Sequence, residues 1–436
     1  MPYFLERLAG SPYASSFPSW LSVTWTFVGL VSLACATWAA QEVIPATRII
    51  FPLVSNTLLI TFLAILPRLP LPPGALFAVV LTNGALQAVS GSWFKIAVAA
   101  LASVFGPDAI AAFMTGSALV AVGVSLLKLA TVYTSLRSEY PGVFTLDLIS
   151  TIHLATLSGS PSDTDTVTST VIYFSVSASL VGSGIVAYAY LYPKIPHDVR
   201  KERPQPEDDH SDTESVPTEV DYLLGRVSTP TPISSASIWI VARKNAYYNF
   251  SVFYVFVVTL AVFPAITTSI LSVNSPDESI LFNPLIFSAL HFLNFNFADL
   301  VGRALASSKP ISSTSNTRLL LYSLARTAFI PLFLLCNIQH KPKFGSLVDG
   351  SSKPFFNSDI AYMLILFAFG LTNGHASTLV LMAAPSKVMN PGLELYESKT
   401  AARIAQFCLV GGLVVGSATS FGLRAIQCRC NPFLDQ

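Results

Sequence analysis

The sequence predicts an all-α, polytopic integral membrane protein. Of its 436 residues, 52% are hydrophobic and only 11% charged, with a mean hydropathy of +0.59. That is too apolar for the surface of a water-soluble globule. The apolar residues also collect into about ten runs of roughly 20 residues, the length a helix needs to cross the hydrocarbon core. Inside lipid, backbone N–H and C=O groups must find partners within the segment, so runs of this length are helices.

In chain order the runs lie at Phe17–Ala40, Ile49–Leu66, Ala75–Val104, Ala109–Thr134 and Val167–Leu191. After a long polar interval come Tyr247–Leu271, Leu281–Leu305, Leu319–Ile338, Ile360–Ala384 and Ile404–Leu423. The head MPYFLERLAGSPYASSF mixes polar and apolar residues and lacks the basic patch and apolar core of a cleavable signal peptide.

The polar interval divides the chain into an N-terminal bundle at residues 1–192, a linker at 193–237 and a C-terminal bundle at 238–436. The linker is rich in Pro, Ser, Thr and charge and poor in aromatics, which predicts a flexible segment. Lys194, Arg200, Lys201 and Arg203 flank one edge, and Arg226, Arg243 and Lys244 the other. The positive-inside rule therefore places it in the cytosol. Counting outward, the loops with Lys309 and Arg318 and with Lys387 and Lys399 fall on the cytosolic side. The loop with Lys341, Lys343 and Lys353 falls opposite, against the rule.

Several function classes are disfavoured. A formal net charge of +1 gives no electrostatic case for a nucleic-acid partner. Cys35, Cys336 and Cys408 lie within apolar runs and Cys428 and Cys430 in the tail, without a metal or disulfide spacing, so they read as packing residues. No paired carboxylates, His/Glu metal spacing, nucleophile motif or glycine-rich phosphate loop appears, so neither an enzyme nor a cofactor is expected.

Polar side chains inside the spans carry more information. In FLNFNFADLVGR, Asp299 and Arg303 stand four apart, on one face of a helix. An ionised side chain at the centre of a span costs roughly 2.5–3.5 kcal/mol on insertion scales, so two together need a reason. Phe292 and Asn296 extend the same stripe. One face thus offers an aromatic ring, an amide, a carboxylate and a guanidinium, which is either a binding surface or a structural ion pair tying helices together. In LTNGALQAVSGSWF, Asn83 and Gln87 share a face; Gln87 is equipped either to read a heterocycle edge or to bond a neighbouring helix. Arg326 lies near the start of its span and is expected to snorkel toward the headgroups, as is Lys128. His375 stands alone among small residues and reads as a satisfied core group.

FNFADLVGR resembles the F-N-x-x-D-x-x-G-R motif of the equilibrative nucleoside transporters. TLAVFPAITTSI, SLARTAFIPLFLLCN and LTNGHASTLVLMAAPSKV resemble, in order, the patches of that family's later spans. PYFLERLAGSPYASSF, NGALQAVSGSWF and AFMTGSALVAVG are similar to its first half, and the likeness is closest to fungal members. The resemblance implies a major-facilitator-like fold of two helical bundles around a central cavity. It implies transport of nucleosides, or nucleobases, down their gradient by alternating access. Carried over by position, Asp299 and Arg303 bond ribose hydroxyls, Gln87 bonds the base, and Phe263, Phe292 and Asn296 line the cavity.

Two departures accompany the likeness. The family's first span, with its Pro-Trp-Asn motif, is expected to be missing, which suggests a truncated or alternatively started product. Ser117 stands where the family often has glutamine, and His375 where it often has tyrosine. A non-transporting truncated carrier and a polytopic nucleoside-binding sensor are the alternative readings. Finally, EVDYLL in the linker places Glu219 four residues before the pair Leu223 and Leu224. This is the pattern sorting adaptors read, and it predicts a vacuolar or lysosomal membrane, with the plasma membrane as the alternative.

Overall fold

The computed structural model describes residues 17–39, 46–139, 163–195, 235–275, 278–308, 315–337 and 355–428, together with Phe4, Arg7, Leu8, Gly10, Ser11 and Tyr13. Much of the head, most of the linker and the sorting pattern at Glu219, Leu223 and Leu224 lie outside them. The long helices are α1 Phe17–Trp38, α2 Thr47–Ile65, α3 Pro73–Val104, α4 Pro107–Glu139 and α5 Asp163–Leu191. They continue as α6 Ser235–Lys244, α7 Ala246–Val262, α8 Pro284–Ala306, α9 Asn316–Ala325, α10 Phe329–Leu334, α11 Asp359–Ala383 and α12 Ser398–Cys428. Among the described residues nine helical segments are long and apolar enough to cross a membrane; the first expected span is a helix with a shorter apolar stretch, Val23–Trp38. Phe51, Leu58, Val120, Leu180 and Leu364 are exposed along these helices, where lipid rather than water is the matching solvent.

Prolines set several boundaries. Pro73, Pro107 and Pro284 open α3, α4 and α8, where the missing N–H has no helical partner to lose. Asn283 caps α8 by accepting from the Leu285 amide at 3.0 Å, and Ser358 caps α11 by accepting from that of Ala361 at 3.4 Å. Two expected spans are interrupted. The run Tyr247–Leu271 stops being α-helical at Val262, because Pro264 disfavours helical geometry at Phe263, whose backbone is extended at φ −103° and ψ 129°. The run Leu319–Ile338 tightens into a 3-10 turn at Arg326–Ala328 between α9 and α10, five residues ahead of Pro331.

The helices fall into two compact units. In the first, α1 and α2 pack on α3, and α2 also packs on α5. Ile49 and Leu53 of α2 meet Ala97, Ala100, Leu101 and Val104 of α3 and Tyr188 of α5 in its core. In the second, α8 packs on α11 and α7 on α12, while α9 and α11 also lie against α7. Helix α4, which the division at residue 192 assigns to the N-terminal half, packs on α8 and α11 of this second unit. The physical reason lies in its partners, since Met114, Ser117 and Ser125 receive the polar side chains of α8.

Glycines let the second unit's helices touch at backbone distance. A Cβ on Gly302 would come within 2.1 Å of the Leu371 carbonyl oxygen, and one on Gly370 within 2.5 Å of that of Phe295. Gly412 and Gly416 do the same for α12 against α7, with Cβ positions 2.3 Å and 2.6 Å from the Phe253 and Val257 oxygens. In lipid, where apolar burial gives no advantage over contact with acyl chains, such close packing is a main source of helix association.

At one end of this unit the C-terminal edge of the linker is fastened. Lys244 donates to both carboxylate oxygens of Glu397 at 2.8 Å, and the Asn245 amide donates to the Ala384 carbonyl at 2.8 Å. Tyr248 bonds Asn316 Oδ1 at 2.5 Å. The linker edge, the start of α9 and the α11–α12 loop therefore share one end, as the expected sidedness of their basic residues requires.

Candidate functional site

The stripe on α8 is a real surface of the second unit, and α4 covers it. Arg303 Nε donates to Asp299 Oδ2 at 2.7 Å, closing the expected pair within one helix turn. Arg303 Nη1 donates to the Met114 carbonyl at 2.9 Å and the Ser117 hydroxyl at 3.2 Å. One turn back, Asn296 Nδ2 donates to Ser125 Oγ at 2.7 Å. A further turn back, the Lys128 ammonium sits 3.9 Å above the Phe292 ring. Lys128 thus does more than reach for headgroups, since its charge lies on the face of a stripe aromatic.

Asp299 and Arg303 are buried, at 5% and 9% exposure, while Phe292 and Asn296 are half-buried. The second Asp299 oxygen, Oδ1, accepts from Asn373 Nδ2 at 2.6 Å. Each carboxylate oxygen has two lone pairs, so the two bonds fix the carboxylate plane and leave acceptor capacity on both oxygens.

Phe263, placed by the break after α7, stacks on Phe295 at 4.0 Å between centroids and meets Phe292 and His291 edge-on at 5.2 Å and 5.3 Å. His291 is buried with both ring nitrogens engaged, Nδ1 by the Ser288 carbonyl at 3.0 Å and Nε2 by the Thr267 hydroxyl at 3.1 Å. It shapes this aromatic wall without a free nitrogen to offer.

Gln87 belongs to the first unit. Its Nε2 donates to Asn83 Oδ1 at 2.6 Å, and Asn83 Nδ2 donates to the Leu59 carbonyl at 3.0 Å, so this amide ladder ties α3 to α2. The interhelical bond expected there is made by Asn83, and Gln87 backs it.

Two expectations change. Arg326 does not snorkel: it is 1% exposed and lies deep in the second unit. Its Nη1 donates to the Phe369 carbonyl at 3.1 Å and Thr372 Oγ1 at 2.7 Å, and its Nη2 to Thr259 Oγ1 at 2.9 Å and Asn373 Oδ1 at 3.4 Å. The Phe369 ring lies 4.7 Å from its guanidinium carbon. His375 is packed edge-on against Tyr322 at 5.7 Å, but among the described residues its buried Nε2 has no hydrogen-bond partner, unlike the satisfied core group expected. Sequence reasoning missed Asn373 and Thr259. An amide two residues before His375, in an otherwise apolar span, was the available signal for the first. A lone threonine carries none.

The nucleoside transporter family profile matches residues 78–425, from within α3 through the body of α12. The chain belongs to the nucleoside transporter family. Rat equilibrative nucleoside transporter 2 is 25% identical across 98% of this chain and 92% of its own length. Rat equilibrative nucleoside transporter 1 is 32% identical over 44% of this chain and 37% of its own. The nucleoside transporter FUN26 of Saccharomyces cerevisiae is 31% identical over 42% of this chain and 33% of its own. Matches to these last two proteins thus span less than half of their lengths. Among solved structures, a major facilitator superfamily transporter, FucP, captured in an outward conformation, superposes with a TM-score of 0.52, covering 98% of this chain and 92% of its own. At 12% identity that likeness speaks to fold, and the fold is that of the major facilitator superfamily. Family membership, with nine membrane-length apolar helices among the described residues, makes the protein a multi-pass membrane transporter.

Proposed function

We propose that this chain carries nucleosides across its membrane down their concentration gradient, with the sugar held at Asp299 and Arg303. The observation that carries the reading is the buried pair itself, a carboxylate with spare acceptor capacity beside a guanidinium, on a span of a nucleoside transporter family member. A ribose presents vicinal hydroxyls, and each one buried without a partner costs on the order of 1–3 kcal/mol. A polar pair inside the membrane offsets that cost for solutes carrying the diol. Phe263 and Phe292 supply ring faces, and Asn296 an amide, along the same helix packing. Gln87, on the first unit, is proposed to offer its carbonyl oxygen to a nucleobase edge, its amide nitrogen being given to Asn83.

Solute binding shifts an equilibrium among conformations that exist without it, which is how a carrier couples binding to passage. The residence membrane is proposed to be vacuolar or lysosomal, through adaptors reading Glu219, Leu223 and Leu224, with the plasma membrane as its alternative. Uptake of radiolabelled nucleoside into proteoliposomes containing the full chain tests the function. It should be saturable, stop at equal concentrations and ignore an imposed proton gradient. Binding without uptake would mark a sensor, and neither would mark an inactive carrier.

A further inference from the structure

A chain of hydrogen bonds runs through the second unit with a cation at each end and Asp299 in its interior. From one side, Arg303 donates directly to Asp299 Oδ2 at 2.7 Å. From the other, Arg326 Nη2 donates to the Thr259 hydroxyl at 2.9 Å. That hydroxyl, its oxygen already an acceptor, lies 2.7 Å from Asn373 Oδ1, and Asn373 Nδ2 donates to Asp299 Oδ1 at 2.6 Å. Arg326 Nη2 also reaches Asn373 Oδ1 directly at 3.4 Å. Along this path Arg326 and Asn373 donate toward the carboxylate, and the Thr259 hydroxyl joins them when its proton turns to Asn373 rather than to the Val255 carbonyl, which lies at the same 2.7 Å.

We infer that Arg326 is a positioning residue for solute recognition, acting on Asp299 through Thr259 and Asn373. The inference rests on the proposal that Asp299 takes the sugar. A carboxamide has two orientations related by a half-turn, and only one presents N–H to Asp299. Arg326 selects it by donating to the opposite end of the Asn373 amide, and the Thr259 hydroxyl, whose single proton is shared between Asn373 and the Val255 carbonyl, adds to that choice. With that end occupied, Asn373 Nδ2 must face Asp299, and Asn373 and Arg303 together hold the carboxylate plane at both oxygens. The lone pairs left for a solute are then fixed in direction.

A merely structural role explains less of the geometry. Arg326 could fasten α9 to α11 through the Phe369 carbonyl and Thr372 alone, and its Nη1 does so. Nη2 makes the separate reach across to α7 and the amide of Asn373. Hydrogen bonds aligned in one sense in a low-dielectric interior polarise one another, so the far end of the chain is felt at the near end.

The test uses the full-length chain in proteoliposomes, comparing adenosine with 2′,3′-dideoxyadenosine, which lacks the sugar diol. Thr259→Val removes the middle hydroxyl without deleting a buried charge, Thr259→Ser restores it, and Arg326→Lys keeps the charge but loses the fork. Thr259→Val and Arg326→Lys should raise the KM for adenosine about five- to tenfold, the equivalent of roughly one hydrogen bond, and leave that for the dideoxy analogue within twofold. Thr259→Ser should return the preference to the wild-type ratio. If Thr259→Val lowers maximal uptake of both solutes with their KM ratio unchanged, the relay is structural and the inference is overturned. Should wild type itself show no preference for adenosine over its dideoxy analogue, the sugar reading of Asp299 fails, and this inference with it.

Discussion

Gly374 lies so close to Asp299 that a Cβ on the glycine would come within 2.0 Å of the aspartate's carbonyl oxygen. The carboxylate that the sequence singles out is therefore held from its backbone side by a helix crossing at contact distance. Gly374→Ala should force α8 and α11 apart, at a cost of about 1–3 kcal/mol or more from overpacking. Thermal unfolding in detergent should show a lowered midpoint. Gly123→Ala, at a position with open space around it, should leave the midpoint where it was.

Asp299→Asn keeps the shape of the side chain and removes its charge. If the carboxylate holds the sugar, the variant should lose about 10- to 100-fold in apparent affinity for nucleosides, in line with roughly 1.5–3 kcal/mol for charge-assisted bonds. Nucleobase transport should fall much less, and the amount of protein inserted should not change. Equal losses for both solutes with a poorly inserted product would return the pair to a purely structural role.

Helix α4 competes with any solute for the α8 stripe. Ser125 occupies the Asn296 amide at 2.7 Å, and Ser125→Ala releases it. Freed of a bond worth about 0.5–1.5 kcal/mol, the stripe should bind solute about two- to tenfold more tightly, read as a lower KM in uptake assays. A raised KM would instead mean that Ser125 contacts the solute itself.

Outside the spans, Lys244 has its ammonium pKa raised, chiefly by its hydrogen bond to Glu397. A raised lysine pKa contributes stability that is fully present below the unfolded value, ordinarily about 10.4, and is lost as pH climbs through the folded one. Thermal midpoints of wild type and Lys244→Met should therefore differ at neutral pH and converge in strongly alkaline buffer. A constant gap across that range would show that the contribution of Lys244 is not electrostatic.

The paired leucines in the linker give a cell-level expectation. A fluorescent fusion bearing Leu223→Ala and Leu224→Ala should move from internal membranes to the cell surface. Identical distributions of wild type and variant would remove EVDYLL from consideration as a sorting signal.

The apolar runs made the helices legible, because a span in lipid is specified by length and hydropathy alone. Helix interruptions were less so: Pro264 and Pro331 stand in plain sight, yet a hydropathy run passes smoothly over both. The pairing of Asp299 with Arg303 was readable because it is local, one turn of one helix. The contacts of Arg303 with Met114 and Ser117, and of Asp299 with Asn373, were not, since those partners lie on other helices, and a sequence carries no direct trace of which helices touch. Arg326 was misjudged for the same reason. A charge near a span's start looks like a snorkelling side chain until Phe369, Thr372 and Asn373 are seen around it.

The burial of Arg326 has a consequence for how the protein is made. The span from Asn316 to Leu334 that carries it has a mean hydropathy of only 1.2, and at its centre an arginine costs about 2.5–3.5 kcal/mol to place in lipid. Its partners Phe369, Thr372 and Asn373 stand more than 40 residues later in the chain. While the ribosome is still completing those residues, the arginine has no companions on α11, and Thr259 on α7 is the earlier-made contact left to it. Stable integration of this span is therefore expected to depend on the later one, so that a chain truncated before Asp359 should insert it less completely than the full chain.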